Sequence, residues 1–374
     1  MEPAGTFEQL AATLAAASEA GRSVRIRGGG TKQGWGSPAE PDVWIDTGGL
    51  DRIPEHNVGD LTAVLEAGVP LARAQATFAA QGQMLALDPP LEWAGADATI
   101  GGVVATADSG PLRHRYGAPR DLVVGMTVAL SDGTIARSGG KVIKNVAGYD
   151  IAKLFAGSFG TLGVILSVTV RLHPLPVGAA TVLGATGDPA VLAEAVRALA
   201  AAPLELEALD VAWRGGRGGA LARVAGTEVV RRGQRVAGLM REAGLEQVGV
   251  MDDDEPVWAR QRGGQRSPHG ALLRVAAAPS ALAAVVRAAQ AAGGTVVGRA
   301  ALGTSFVDLD PGAVPRLRAE LPRAAGVVVL DAPAELRADP WGAIDEPALA
   351  LMRRVKQRFD PAGVCNPAIF VGGI

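Results

Sequence analysis

The chain has 374 residues, of which 48% are hydrophobic, with a net charge of −2 and one cysteine. The length allows two domains, or one interrupted by another. The near-neutral charge leaves no basic footprint for nucleic acid. The single Cys365 excludes an internal disulfide, a CxxC redox pair and a cysteine-held iron–sulfur cluster.

Met1–Gln9 is acidic and lacks a basic segment followed by an apolar one, so no signal peptide is expected. No apolar run reaches the ~18–20 residues of a membrane span. These readings predict a cytoplasmic protein, with docking to a membrane through partner subunits left open. In chain order, Thr6–Ala20 is predicted as an amphipathic helix capped by Thr6. Short strands follow at Val24–Ile26, Val43–Ile45 and Thr62–Glu66, then a helix over Pro70–Gln81. Asp121–Ala129 and Thr134–Arg137 read as a hairpin around Ser131-Asp132-Gly133. Asp150–Ala156 reads as a short helix and Gly163–Leu172 as a β-branched strand.

His173-Pro174-Leu175-Pro176 interrupts the pattern, because Pro cannot continue a ladder, and a domain boundary is expected there. Beyond it, strands are predicted at Leu204–Ala212, Ala271–Ala277, Thr295–Arg299, Ser305–Asp308 and Gly326–Leu330. Alanine-rich helices are predicted at Pro189–Ala202, Glu228–Ala243, Ala281–Ala292 and Gly312–Glu320. That alternation predicts an α+β domain with an antiparallel sheet covered by helices. A last helix is predicted over Glu346–Phe359.

Glycine is 50 of 374 residues, against a usual ~7%, and it clusters. Arg27-Gly28-Gly29-Gly30-Thr31-Lys32 leaves successive backbone N–H groups unshielded, which suits an anion such as a diphosphate. A plain turn after a strand is the simpler alternative. The segment is not a dinucleotide fingerprint of the GxGxxG type, because Gln33 stands where the last glycine belongs. Thr99 to Gly110 is apolar but built of small residues, so a flat ligand can lie against its backbone; a tightly packed helix would look the same. Gly139 to Ile165 holds several glycine turns and ends in a strand. Lys141 and Lys144 there read equally as a solvated face, and Asp150 as a helix cap. Together the segments call for a large, anionic, partly planar cofactor without naming it.

In order and spacing, IRGGGTK, DATIGGVVATADSGP with RYG, KNVAGYDIAKLFAGSFGTLGVI and the closing FDPAGVCNP resemble the vanillyl-alcohol-oxidase/p-cresol-methylhydroxylase type of FAD-binding domain. Within that family the narrower resemblance is to the smaller flavin subunits of bacterial glycolate oxidases. The resemblance implies an α+β fold: an FAD-binding domain of two subdomains over residues 1–176, an α+β cap domain over 177–333, and a return to the first domain over 334–374. It implies FAD as cofactor. Arg27, Gly28, Gly29, Gly30, Thr31 and Lys32 would face the diphosphate. Thr99, Ile100, Gly101, Gly102, Ala105, Ser109, Gly110 and Tyr116 would lie along the ribityl and ring portion. Gly160, Gly163, Val164 and Ile165 would serve the nucleotide side, with Asn366 near the ring. Covalent members carry a flavin-linking His where this chain has Thr31, so non-covalent FAD is expected. Phe159 stands where many hydroxy-acid dehydrogenases of the family carry Glu.

Oxidation of a 2-hydroxy acid needs a base, and His is the usual one. The chain has His56, His114, His173 and His269, with no pair at metal-ligand spacing. His114 and His269 are the candidates; His173 reads as structural. Asp252–Glu255 reads as an acidic helix start before Pro256, no metal is expected, and Cys365 reads as a passive buried thiol. The missing base and cluster cysteines predict a subunit of a glycolate oxidase-like complex, working with a larger flavin subunit and an iron–sulfur subunit on a small 2-hydroxy acid. The alternatives are a stand-alone FAD-dependent 2-hydroxy-acid dehydrogenase and a scaffold that keeps the FAD fold without its own catalysis.

Overall fold

The computed structural model describes residues 5–37, 39–93, 95–140, 150–267, 270–333 and 340–374. The chain divides into two compact units. The first comprises Met1–Ser109, Tyr116–Leu175 and Ala343–Ile374; the second comprises Gly110–Arg115 and Pro176–Gly342.

The first unit opens with the helix Phe7–Glu19. Thr6 caps it in a reciprocal box: the Thr6 hydroxyl accepts from the Gln9 N–H, and the Gln9 side chain accepts from the Thr6 N–H. Its buried stripe, Leu10, Leu14 and Ala17, packs with Val24, Ile45, Val164 and Leu166 into one core. Val24–Arg27 pairs in parallel with Val43–Asp46. A five-stranded antiparallel sheet runs in the order Glu55–Asn57, Thr62–Glu66, Val164–Arg171, Val123–Ala129, Ile135–Gly139. The expected hairpin is present, but Pro119–Leu122 forms a helical turn ahead of its first strand. Pro174 does take part in a ladder, a two-residue pairing of His173–Pro174 with Gln83–Met84. Such a short pairing ends before the missing proline N–H matters.

The C-terminal residues complete this unit. Cys365 bridges Val24 in parallel, Val24 N–H donates to Val364 O, and Asn366 N–H donates to Val24 O. Lys356, on the helix Glu346–Phe359, ties the return down by donating to Thr161 O, Cys365 O and the Asp360 carboxylate. Cys365 is fully buried, and burial raises its thiol pKa far above the usual range, in keeping with a passive role.

In the second unit, eight strands form one sheet in which every pairing is antiparallel. The helices Pro189–Ala201, Val229–Glu242, Leu282–Ala291 and Val314–Glu320 cover one face, packing Leu192, Val236, Val286 and Leu317 onto Leu209, Val211 and Trp213. Three strands escape the sequence pattern: Ala179–Thr186, Arg217–Ala225 and Glu246–Met251. The first two are rich in Ala and Gly, which have low strand propensity, and pairing across the sheet overrides it. On the opposite face lie Ala208, Leu221 and Trp258, the last on the helix Glu255–Gly263. The acidic helix start is present, with Asp254 at the N-cap and Glu255 in the first turn; Asp254 is in addition buried, ion-paired with Arg223, and accepts from the Thr181 hydroxyl.

Candidate functional site

A cleft opens within the first unit. Its walls come from four places in the chain: the turn after Val24–Arg27, the start of Ile100–Thr106, the turn before Val164–Arg171, and the C-terminal return. Each wall is held for a local physical reason.

The first wall is Gly28–Gln33. A side chain on Gly29 would land on the Asp97 carbonyl oxygen, and one on Gly28 on the Thr99 hydroxyl, so glycine permits the approach that brings this loop against residues 97–99. Arg25 braces the loop from below, donating to Gln33 O at 2.9 Å and to the Gln33 side chain.

The second wall carries Thr99, Gly101, Gly102, Ala105 and Thr106. A Cβ on Gly101 would stand 2.7 Å from that of Ala67, which also lines the cleft. The helix ends at Ala107 in the left-handed region. Gly157 N–H then donates to Val104 O and Phe159 N–H to Ala105 O, so the third wall closes on the last carbonyls of the second. Asn366 joins the fourth wall to two others: its side chain accepts from Ile26 N–H at 2.9 Å and donates to Phe159 O at 2.6 Å.

The electrostatics of the lining are one-sided. Among the described residues, the charged side chains lining the cleft are Arg25 and Lys32, both cations and both buried. Burial lowers the Arg25 pKa from its ordinary value. Thr99 Oγ1 is buried with no hydrogen-bond partner, although Thr99 stands at a helix N-cap. A buried hydroxyl without a partner is uncommon and asks for one. Exposed glycine backbone, two buried cations and an unsatisfied hydroxyl fit a large ligand that carries a diphosphate.

Of the residues expected from sequence, the cleft brings together Gly28, Gly29, Gly30, Thr31, Lys32, Thr99, Gly101, Gly102, Ala105, Gly160, Gly163, Ile165 and Asn366. Others stand elsewhere. Arg27 turns outward, paired with Asp46 at 2.8 Å and lying over Trp44. Ile100 is fully buried, and Val164 packs into the core with Leu14. Ser109 is buried outside the lining, and Tyr116 stacks on His173 with ring centres 4.7 Å apart. Gly110 and His114 belong to the segment of the second unit. His114 Nδ1 is buried without a hydrogen-bond partner among the described residues, and burial lowers its pKa. His269, Lys141 and Lys144 lie outside the described residues. Among the described residues, no group of three potential ligands could hold a metal, and no helix is long and apolar enough to cross a membrane.

Sequence reasoning missed Arg25, Gln33, Thr47 and Ala67, all of which line the cleft. Arg25 carried one signal: a charged residue inside a strand whose neighbours, Val24 and Ile26, are apolar. Phe159 also lines the cleft, with positive φ and its ring beside Phe370, so it presents an aromatic edge there.

Comparison with known proteins agrees with the cleft. Residues 4–139 match the FAD binding domain, and residues 342–369 match the C-terminal domain of FAD linked oxidases. Glycolate oxidase subunit GlcE of Escherichia coli (strain K12) is 36% identical over 151 residues, 40% of this chain and 42% of that protein. A D-lactate dehydrogenase of Archaeoglobus fulgidus is 35% identical over 168 residues, 45% of this chain and 37% of that protein. The chain thus matches well under half the length of either relative. In fold, alkyldihydroxyacetonephosphate synthase superposes with a TM-score of 0.70 at 15% identity, over 97% of this chain and 76% of that one. The chain thus carries an FAD binding domain and the C-terminal domain of FAD linked oxidases, which indicate FAD as its cofactor, and it is similar to FAD-linked oxidoreductases with a p-cresol-methylhydroxylase-type FAD-binding domain.

Proposed function

We propose that this chain is the FAD-binding subunit of a glycolate oxidase-like complex that oxidises glycolate or a related 2-hydroxy acid. The observation that carries the reading is the composition of the cleft. Among the described residues its lining holds backbone, two cations, and apolar, hydroxyl and amide side chains, but no carboxylate, imidazole, phenol or thiol. Such a lining binds and orients, and brings no group of its own suited to take the substrate hydroxyl proton at neutral pH. A partner subunit supplying that group fits this better than a stand-alone dehydrogenase does. The names of the relatives, a glycolate oxidase subunit and a D-lactate dehydrogenase, support the 2-hydroxy-acid class.

When bound, FAD supplies a two-electron acceptor. The remaining work belongs to the chain. Gly28–Gly30 and Thr31 offer backbone and hydroxyl to the diphosphate, while Arg25 and Lys32 neutralise it. Thr99 supplies a hydroxyl that has no other partner, and Gly101, Gly102 and Ala105 leave room for a flat ring against the helix. Asn366 holds three walls in register. Thr31 offers no nucleophile for a flavin link, so the cofactor is held non-covalently. The proposed partners are a larger flavin subunit and an iron–sulfur subunit, which would carry electrons onward from a cytoplasmic site.

Acid precipitation of the FAD-loaded chain should leave the yellow colour in the supernatant. Anaerobic glycolate or D-lactate should fail to bleach the isolated chain and should bleach it once the partner subunits are added. Bleaching of the isolated chain would establish the stand-alone dehydrogenase instead. Colour retained in the pellet would mean a covalent link.

A further inference from the structure

Behind the cleft lies a charge that the cofactor assignment does not use. Lys32 lines the cleft, and its ammonium stands 3.5 Å from the Asp108 carboxylate. Both side chains are buried, at 6% and 1% exposure, and Asp108 does not line the cleft. The same ammonium lies 2.9 Å from the Thr31 hydroxyl. Lys32 therefore lines the cleft and also faces a buried carboxylate that does not line it.

We propose that Asp108 is the resident counter-ion of Lys32: it holds the cation while the cleft lacks FAD, and the diphosphate takes over that role on binding. This rests on the FAD assignment and goes beyond it. The sign of the effect follows from the buried charges. Removing the Asp108 charge takes a negative group away from the place an anion enters, and removing the Lys32 charge takes away a positive one, so the two changes act on diphosphate binding with opposite signs. In a poorly solvated site these differences are felt strongly. Asp108 thus lowers FAD affinity while stabilising the flavin-free protein, because a buried ammonium that loses the carboxylate beside it is costly. A mere brace for the loop would behave differently, since breaking a brace from either end weakens binding.

The test uses the full chain freed of flavin, with FAD, ADP and riboflavin as separate probes in calorimetric titrations. Lys32→Met should weaken FAD and ADP binding by about 10- to 100-fold. Asp108→Asn should tighten both by about 3- to 10-fold and lower the melting temperature of the flavin-free chain. Riboflavin, which lacks the diphosphate, should bind all variants alike. If Asp108→Asn fails to fold, Asp108→Ser carries the same test. Weaker FAD binding in the Asp108 variants would overturn the proposal and leave a structural brace. So would a shift confined to riboflavin, which would put the pair at the ring. A wild-type chain that binds neither FAD nor ADP would overturn the cofactor assignment, and the proposal with it.

Discussion

The two units differ in where their buried polar groups gather. In the second unit, Arg223 binds Asp254 and Glu207, and the Trp258 indole N–H donates to the Thr181 hydroxyl, so a polar cluster closes on itself beside the sheet, although Asp210 Oδ1 elsewhere in that unit has no hydrogen-bond partner among the described residues. In the first unit, polar groups line a cleft, and Thr99 Oγ1 is unsatisfied there. A closed network helps to fix a fold, whereas an unsatisfied group at a cleft invites a ligand. The contrast separates the scaffold of this protein from its cofactor chemistry.

Substitution at Gly29 is the strongest way to break that contrast. Gly29→Val drives a side chain into the Asp97 carbonyl and should cost about 100-fold in FAD affinity, read by flavin fluorescence. Unchanged affinity would remove the loop from the site. Trp213→Ala probes the other unit, emptying a core position that is 1% exposed and whose indole N–H donates to Gln290. It should cost about 3–5 kcal/mol in urea unfolding and leave FAD affinity unchanged. A coupled loss of affinity would mean that the two units do not divide the work in this way.

Asp210 sharpens the comparison through pH. It is fully buried, accepts from Gln261 at 2.9 Å, and lies 3.9 Å from Arg299. Burial raises its pKa from 3.8 to about 6, against the pull of Arg299 and Gln261. A carboxyl with a raised folded-state pKa binds its proton more tightly when folded, so its contribution to stability falls as pH rises from about 4 to about 6 and is level above that. The span corresponds to about 3 kcal/mol. Unfolding free energies of wild type and Asp210→Asn should therefore diverge across that window; parallel curves would refute the burial argument. The smallest effect is expected at Thr6→Ala, which removes the hydroxyl half of the capping box and should cost about 1 kcal/mol. Thermal unfolding would check it, and no shift would mean that the first turn is held by other contacts.

The sequence is most readable where chemistry is local. The Thr6 cap, the β-branched strand Val164–Arg171 and the glycine loop follow from neighbouring residues alone. Arg25 was not legible as a site residue, because nothing in its strand shows that its side chain turns back onto Gln33, and Ala67 was not, because its place is set by the approach of Gly101 from a distant part of the chain. Val164 and Ile165 show the finer difficulty. They are adjacent and equally apolar, yet strand alternation sends one to the core and the other to the cleft. The strands Ala179–Thr186 and Arg217–Ala225 stayed hidden because alanine and glycine carry little strand preference, and sheet partners decide the matter. Asn366 was found through family likeness; nothing in its local sequence announces contacts with Ile26 and Phe159.

The Asn366 bridge also orders events in time. Ile26 and Asn366 are 340 positions apart, and the second unit lies between them in the chain. A ribosome has made the glycine loop and the whole second unit before it reaches the residue that joins the walls. During synthesis the Ile26 amide has no Asn366 to bind, and Val24 has no partner on its open side. The wall that Asn366 supplies is thus made after the other three, and the cleft cannot be closed on that side until it has been.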